Sequence, residues 1–333
     1  MKIIVHNVGN KILNDGLILS TEELKLEETS QEILINYFLG SFKTEETYQF
    51  YSDSYLATNH VYNAVNEIFQ DKFYFESYSQ DIARYLYEAA ENPRIQGGNL
   101  FVVYFPAQDG NSVDKIGIFK TEKREPFLKI FPMNPEPIEQ HFGISLDKID
   151  KAALIYNKDK ESGYVLSVVD NNKNGDMYYW FEDFLKVKQR TDGFFHTQES
   201  LNVFKDYIKK QLPTEFEVSK ADQADFLNKS INFFKKKEEF KLEDFTTEVL
   251  GDEKVIESFN AFKTDYEQDM QINIAEEFPI SDGAVKKSQA KFKSIIKLDT
   301  NFHIYVHGDR NKLEQDQDEK GHFYKLYYEK DQY

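Results

Sequence analysis

The chain has 333 residues and a formal net charge of -17, with 40% hydrophobic, 30% charged and 15% aromatic residues, the composition of folded domains and a length that suits two of them. It has no cysteine, which excludes disulfides, thiolate nucleophiles, Fe–S clusters and thiolate zinc sites and fits a reducing cytoplasm. The acidic excess is spread out, 20 basic against 30 acidic side chains over residues 1 to 193 and 21 against 28 over 194 to 333. A polyanion is therefore repelled at long range unless lysines gather on one face.

The start, "MKIIVHNVGNK", has too short an apolar stretch for a secretion signal, and the longest apolar run, residues 100 to 107, is too short to span a bilayer. "KIIVHNV" and "GLILS" flank the turn signal "NDG" and predict a hairpin. "TSQEILINYFLGSF" predicts a helix capped by Thr29 or Ser30, "HVYNAVNEIFQ" a second, and "SQDIARYLYEAAENP" a third closing at Asn92 before Pro93. The texture then turns to strands: "NLFVVYF", "DKIGIFK", "PFLKIF", "KAALIY" and "GYVLSVV". The short turns among them favour an antiparallel sheet over βαβ crossovers.

A boundary is expected near residue 193. Beyond it "TQESLNVFKDYIKKQL" predicts one helix. "SKADQADFLNKSINFFKKKEEF" predicts another, opened by a capping box of Ser219 and Asp222, with Ala224, Leu227, Ile231 and Phe234 as its apolar stripe. "KLEDFTTEVLG" and "DEKVIESFNAFKTDYEQD" add two helices with Gly251 as the stop between them. The tail reads as strands "FHIYVHG" and "HFYKLYYEK" around an acidic loop. The expectation is an α+β protein: an antiparallel sheet with helices in residues 1–193, and a mainly helical domain, 194–333, closing with a terminal β-hairpin.

Catalytic signatures are sparse. The sequence has no P-loop, no G-x-G-x-x-G and no G-x-S-x-G. His303 and His307 have zinc-like spacing, but on a strand they stand about 13 Å apart and cannot share one metal. Asp15, Glu23 and Lys25 could be drawn as a metal-dependent nuclease triad, although E-x-K triplets arise easily in a chain this rich in both residues. No catalytic residue, cofactor or metal is assigned.

The segment "AVKKSQAKFKSIIK", residues 284 to 297, holds five lysines and no acid. As one helix it would place Val285, Phe292 and Ile296 within about 40° of one another as a docking stripe. Lys286, Lys287, Lys291, Lys293 and Lys297 would project from the other side. Such a face neutralises phosphates with little sequence preference; the same charge run also suits a plain solvated helix face. A second basic group, Lys235, Lys236 and Lys237, is diluted by Glu238 and Glu239.

The order "GGNLFVVYF", "SLDKIDKAALIY", "GYVLSVVDNNKNGDMYYWFEDFLKV", "EEFPISDGAVKK" and "NFHIYVHGDR…YKLYYEK" resembles the bacterial nucleoid-associated proteins of the NdpA-like family over nearly the whole chain. The most specific parts are the aromatic "YYWFEDFL" and the "F-P" ahead of the lysine run. The tail here is longer and more acidic. The resemblance implies a cytoplasmic, nucleoid-associated, non-enzymatic protein, and it supplies no binding residues. Two readings follow. Either the lysines contact DNA directly, in a homodimer expected from common symmetry, or an acidic adaptor engages basic DNA-handling proteins without touching DNA.

Overall fold

Most apolar runs of the first half pair into one antiparallel sheet, while "PFLKIF" joins a separate hairpin. The computed structural model describes residues 1–110, 112–130, 138–171, 179–292, 295–298, 302–305 and 312–330, and the chain divides into two units, Met1–Arg190 and Thr191–Tyr333. In chain order the first unit holds β1 (Lys2–Val8), β2 (Leu17–Ile18), α1 (Glu28–Leu39), β3 (Tyr48–Phe50), α2 (His60–Gln70), α3 (Phe75–Ala89), β4 (Gly98–Phe105) and β5 (Lys115–Thr121). It continues with β6 (Arg124–Lys129), β7 (Glu139–Ile144), β8 (Lys151–Tyr156), β9 (Val165–Asp170), a π-helical turn at Tyr179–Leu185 and β10 (Val187–Gln189). Eight strands form the sheet in the order β10-β3-β9-β8-β5-β4-β1-β2, every neighbour antiparallel. β6 and β7 pair with each other outside it.

Both faces of this sheet are covered, which explains why β4 reads as an unbroken apolar run rather than an alternation. Leu100, Val102 and Tyr104 point into a core shared with α2, α3 and the π-turn residues Trp180, Phe184 and Leu185. Phe101, Val103 and Phe105 point the other way, toward Tyr37 and Phe38 of α1. There Phe38 stacks on Phe119, with centroids 4.2 Å apart and rings 10° from parallel. A side chain at Gly117 would lie 2.2 Å from the Phe119 ring, so the glycine makes room for this stack.

Two helix ends differ from expectation. α1 starts at Glu28, with Glu27 in the cap position and no side-chain cap from Thr29 or Ser30; an acid in the first turn favours that end electrostatically. α3 stops at Ala89, short of Asn92. The next turn is held elsewhere: the Asn10 amide donates to the carbonyls of Asn92 and Ile95, and the Asn92 side chain accepts from the Arg94 N–H.

The second unit opens with α4 (Gly193–Asp206), which continues through a π-turn at Tyr207–Gln211 into α5 (Leu212–Glu215). Asp192 caps α4 by accepting from the N–H groups of Phe194 and Phe195. Then follow α6 (Lys220–Lys236), β11 (Glu239–Lys241), α7 (Leu242–Val249), α8 (Glu253–Met270), β12 (Glu277–Pro279) and α9 (Asp282–Gln289). Next come β13 (Ile295–Leu298), β14 (Phe302–Tyr305), β15 (Leu313–Asp318) and β16 (Gly321–Leu326). The capping box of Ser219 and Asp222 is present. Ala224, Leu227, Ile231 and Phe234 are all buried. The core is aromatic, with Phe204, Tyr207, Phe233, Phe234, Phe240, Phe245 and Phe259 packed together.

The protein is thus α+β and closes with a β-hairpin as expected, β15 with β16, but the strands that form it differ from the predicted pair. β14 pairs with β13, and β16 pairs with β15, formed from "LEQDQD" in the supposed acidic loop. Only Leu313 of β15 is buried, so five of its six residues face solvent and give no apolar signal.

Candidate nucleic-acid interface

The lysine-rich run is not one helix. α9 ends at Gln289, a short 3₁₀ turn covers Ala290–Phe292, and the chain resumes as the strand β13 at Ile295. The three residues expected on one helical stripe are all buried, Val285 and Phe292 in the aromatic core and Ile296 against Ala221 and Leu313. Val285 and Phe292 thus belong to one cluster and Ile296, on a strand, to another. The β-branched pair Ile295–Ile296 suits that strand. Its consequence for the five lysines is direct. Lys286 and Lys287 are exposed on α9 and Lys291 is exposed on the 3₁₀ turn, while Lys297 belongs to β13. Lys293 lies outside the described residues.

α9 is positioned from three sides. Ser281 caps it by accepting from the Ala284 N–H, and its own N–H donates to Thr197 Oγ1 at 3.0 Å. Ala284, Val285 and Ser288 face inward. The Lys287 ammonium lies 5.5 Å from the centre of the Phe194 ring, a cation–π contact that holds the stem against the helix bundle.

The elements that carry the two basic groups are linked by a short ladder. β11 pairs antiparallel with β12, Phe240 stacks on Phe278 with centroids 4.6 Å apart, and the Ile280 N–H donates to the Glu238 carbonyl at 2.8 Å. This joins the end of α6 to the start of α9. Ile296, downstream of α9, meets Ala221 at the opposite end of α6, so the α9–β13 segment runs antiparallel to α6. Lys235 and Lys236, in the last turn of α6, lie at the end of the pair where α9 begins.

The lysines differ in how they are engaged. Lys237 pairs with Glu248 at 2.7 Å and lies 5.2 Å over the Phe233 ring, and the Glu248 carboxylate raises its pKa above the ordinary lysine value. Lys235, Lys236, Lys286 and Lys291 are exposed and form no ion pair among the described residues. Exposed carboxylates of Glu238, Glu239 and Asp282 are interspersed.

The other candidate residues do not converge. The Asp15 carboxylate accepts from the Asn10 N–H, and Glu23 pairs with Lys2 at 2.7 Å. No group of three histidine or acidic side chains capable of holding a metal occurs among the described residues. His303 is exposed on β14, and His307 lies outside the described residues.

A family model described as "Nucleoid-associated protein YejK" matches residues 4–321. The chain belongs to this bacterial family. No curated protein matches it. The family's description names association with the nucleoid and no enzymatic activity. Its match runs through both units, and the aromatic stretch that carries the resemblance is core: Tyr179, Trp180, Phe184 and Leu185 are buried in the π-turn over the sheet. In "F-P", Phe278 lies on β12, just ahead of α9, and stacks on Phe240. Among the described residues no helix is long and apolar enough to cross a membrane.

Sequence reasoning passed over a second charged constellation. Lys120 and Lys151 are register partners on β5 and β8, and Asp170 is the partner of Lys151 on β9. Lys120 pairs with Glu122 at 2.9 Å and Lys151 with Asp170 at 2.8 Å, every one of these side chains no more than 3% exposed. Both ammonium groups lie against the Tyr179 ring, at 5.4 and 5.0 Å. The available signal was a lysine at the end of each of two otherwise apolar strands. The pairs tie the π-turn to the sheet and leave no exposed charge for a ligand.

Proposed function

We propose that this protein associates with the nucleoid by contacting DNA phosphates through Lys235, Lys236, Lys286, Lys287 and Lys291, with little sequence preference, no enzymatic step, and as a homodimer in the cytoplasm. One observation carries the reading: two basic groups some fifty positions apart in the sequence lie exposed on α6 and on α9 with its following turn, elements that the β11–β12 ladder links. Membership of a nucleoid-associated family supports it. The last turn of a helix is also a favourable place for cations, which suits Lys235 and Lys236.

Five phosphate contacts would give a slope of log K against log salt near about -4.5, at about 0.9 per contact. Replacing Lys286, Lys287 and Lys291 by glutamate is expected to lower the slope magnitude by about 3 and to abolish binding at moderate salt. Fluorescence anisotropy with duplexes of unrelated sequence, across a salt series, measures both. Unchanged binding in the triple variant would remove these lysines from the interface. No binding by the wild-type protein at low salt would favour the acidic adaptor that acts through basic DNA-handling proteins.

A further inference from the structure

The β6–β7 hairpin pairs with no other strand among the described residues. Its register, Pro126 with Phe142 and Leu128 with Gln140, sorts its side chains onto two faces. One face is closed in part, by contacts within it, with Phe127 51% exposed. Phe127 stacks on His141, with centroids 5.6 Å apart, and its ring lies over Gly143 where a Cβ would be 3.1 Å away; His141 in turn meets Glu139 at 2.9 Å. The other face, Pro126, Leu128, Gln140 and Phe142, continues into Ile130 and Ile138 and is bare. Leu128 is 62% exposed, Phe142 63%, Ile130 70% and Ile138 60%. A two-stranded hairpin is marginal in water without a covered apolar face, and bare apolar strands with free edges invite aggregation.

We propose that this bare face packs against the same face of a second copy of the chain across a twofold axis. The proposal deepens the homodimer part of the function above and is independent of the DNA contact. Area supports it: four large apolar side chains at these exposures present roughly 500 Å² per copy, so two copies bury about 1,000 Å² before Pro126 and the backbone are counted, near the lower limit of a stable interface. Charge supports a second copy over a charged partner. Two bodies of net charge -17 repel and can meet only where acids are absent. The bare face carries no acid: Arg124, opposite Ile144 at the end of the ladder, is its one charged side chain among the paired residues, whereas Glu125 and Glu139 occupy the other face. An isologous contact centred on Leu128 and Phe142 opposes no acids at the axis.

The absence of cysteine makes the test clean. Light scattering on the full chain should give twice the 39.2 kDa monomer mass, and Leu128→Glu with Phe142→Glu should halve it without changing the circular dichroism spectrum. Gln140→Cys, on the bare face, should form a disulfide-linked dimer under mild oxidation, and Glu125→Cys, on the other face, should not. A monomeric wild type overturns both the dimer and this surface. A dimer that survives the double glutamate variant, or that cross-links equally through Glu125→Cys, overturns the surface alone and leaves the homodimer reading intact.

Discussion

Replacing Glu122 by glutamine removes one charge from a buried group that also holds Lys120, Lys151, Asp170 and Asp150. Lys120 would keep its hydrogen bonds to the Gln96 carbonyl at 2.6 Å and to the Tyr179 hydroxyl at 3.0 Å, but its ammonium would stand beside Lys151 without its ion-pair partner, Asp150 alone offsetting part of the charge. Removing one partner of a buried pair costs about 3–5 kcal/mol, and because glutamine keeps an acceptor we expect about 3. With a urea m-value near 2 kcal/mol/M, that is a midpoint shift of about 1.5 M at pH 7. The deficit should also depend on pH. Burial holds Lys120 below the ordinary lysine pKa of 10.5, and losing the favourable Glu122 charge lowers it further. Below 10.5 the unfolded state therefore binds more protons than the folded state, so stability rises with pH, more steeply in the variant. The gap to wild type should narrow between pH 7 and 9.5. Above that window buried tyrosines such as Tyr37 and Tyr164, whose pKa values are raised by burial, cost stability in both proteins as the unfolded phenols ionise. A deficit below about 1 kcal/mol, or one that does not change with pH, would refute the claim that the Lys120 charge is held by Glu122.

The acid limb should be governed in part by His6, which burial and then the Arg84 charge lower from 6.5 to about 4. Its Nδ1 accepts from the Ser20 N–H, and its Nε2 meets Ser79 Oγ at 3.1 Å while that hydroxyl donates to the Glu76 carbonyl, so a second proton breaks the Ser20 bond. Stability should fall as pH drops from 6.5 toward 4, by up to about 1.4 kcal/mol per unit, and His6→Gln should flatten that decline in thermal melts at pH 7 and 5. Gly163, at φ +94°, would place a Cβ 2.3 Å from the Phe50 carbonyl oxygen. Gly163→Ala should cost about 1–3 kcal/mol from the backbone conformation alone, read as a loss in denaturant midpoint; a neutral result would mean that the β3 edge relaxes freely.

Local rules carried far where one element met one environment. The Ser219–Asp222 box and the apolar stripe of α6 could be read from spacing alone, because a cap and an amphipathic face depend on neighbours three and four residues away. The strands from "NLFVVYF" to "GYVLSVV" were legible for the same reason, and their short turns implied antiparallel pairing. What failed was whatever needed a distant partner. Val285, Phe292 and Ile296 satisfy a helical period, yet they enter two different clusters, the last of them from a strand. β15 was invisible because its polar side chains face water and only its pairing with β16 makes it a strand.

By itself the sequence determined the class of the protein, its lack of thiol chemistry, the identity of its lysine groups and its family resemblance, since each depends on composition or on short-range pattern. Tertiary structure decided which lysines stay exposed and which are consumed: Lys120 and Lys151 vanish into a sheet, Lys237 goes to Glu248, and Lys235, Lys236, Lys286 and Lys291 remain exposed. The physical reason is that a lysine's role is set by the charges and rings that surround it in space, and those arrive from parts of the chain that no local period connects.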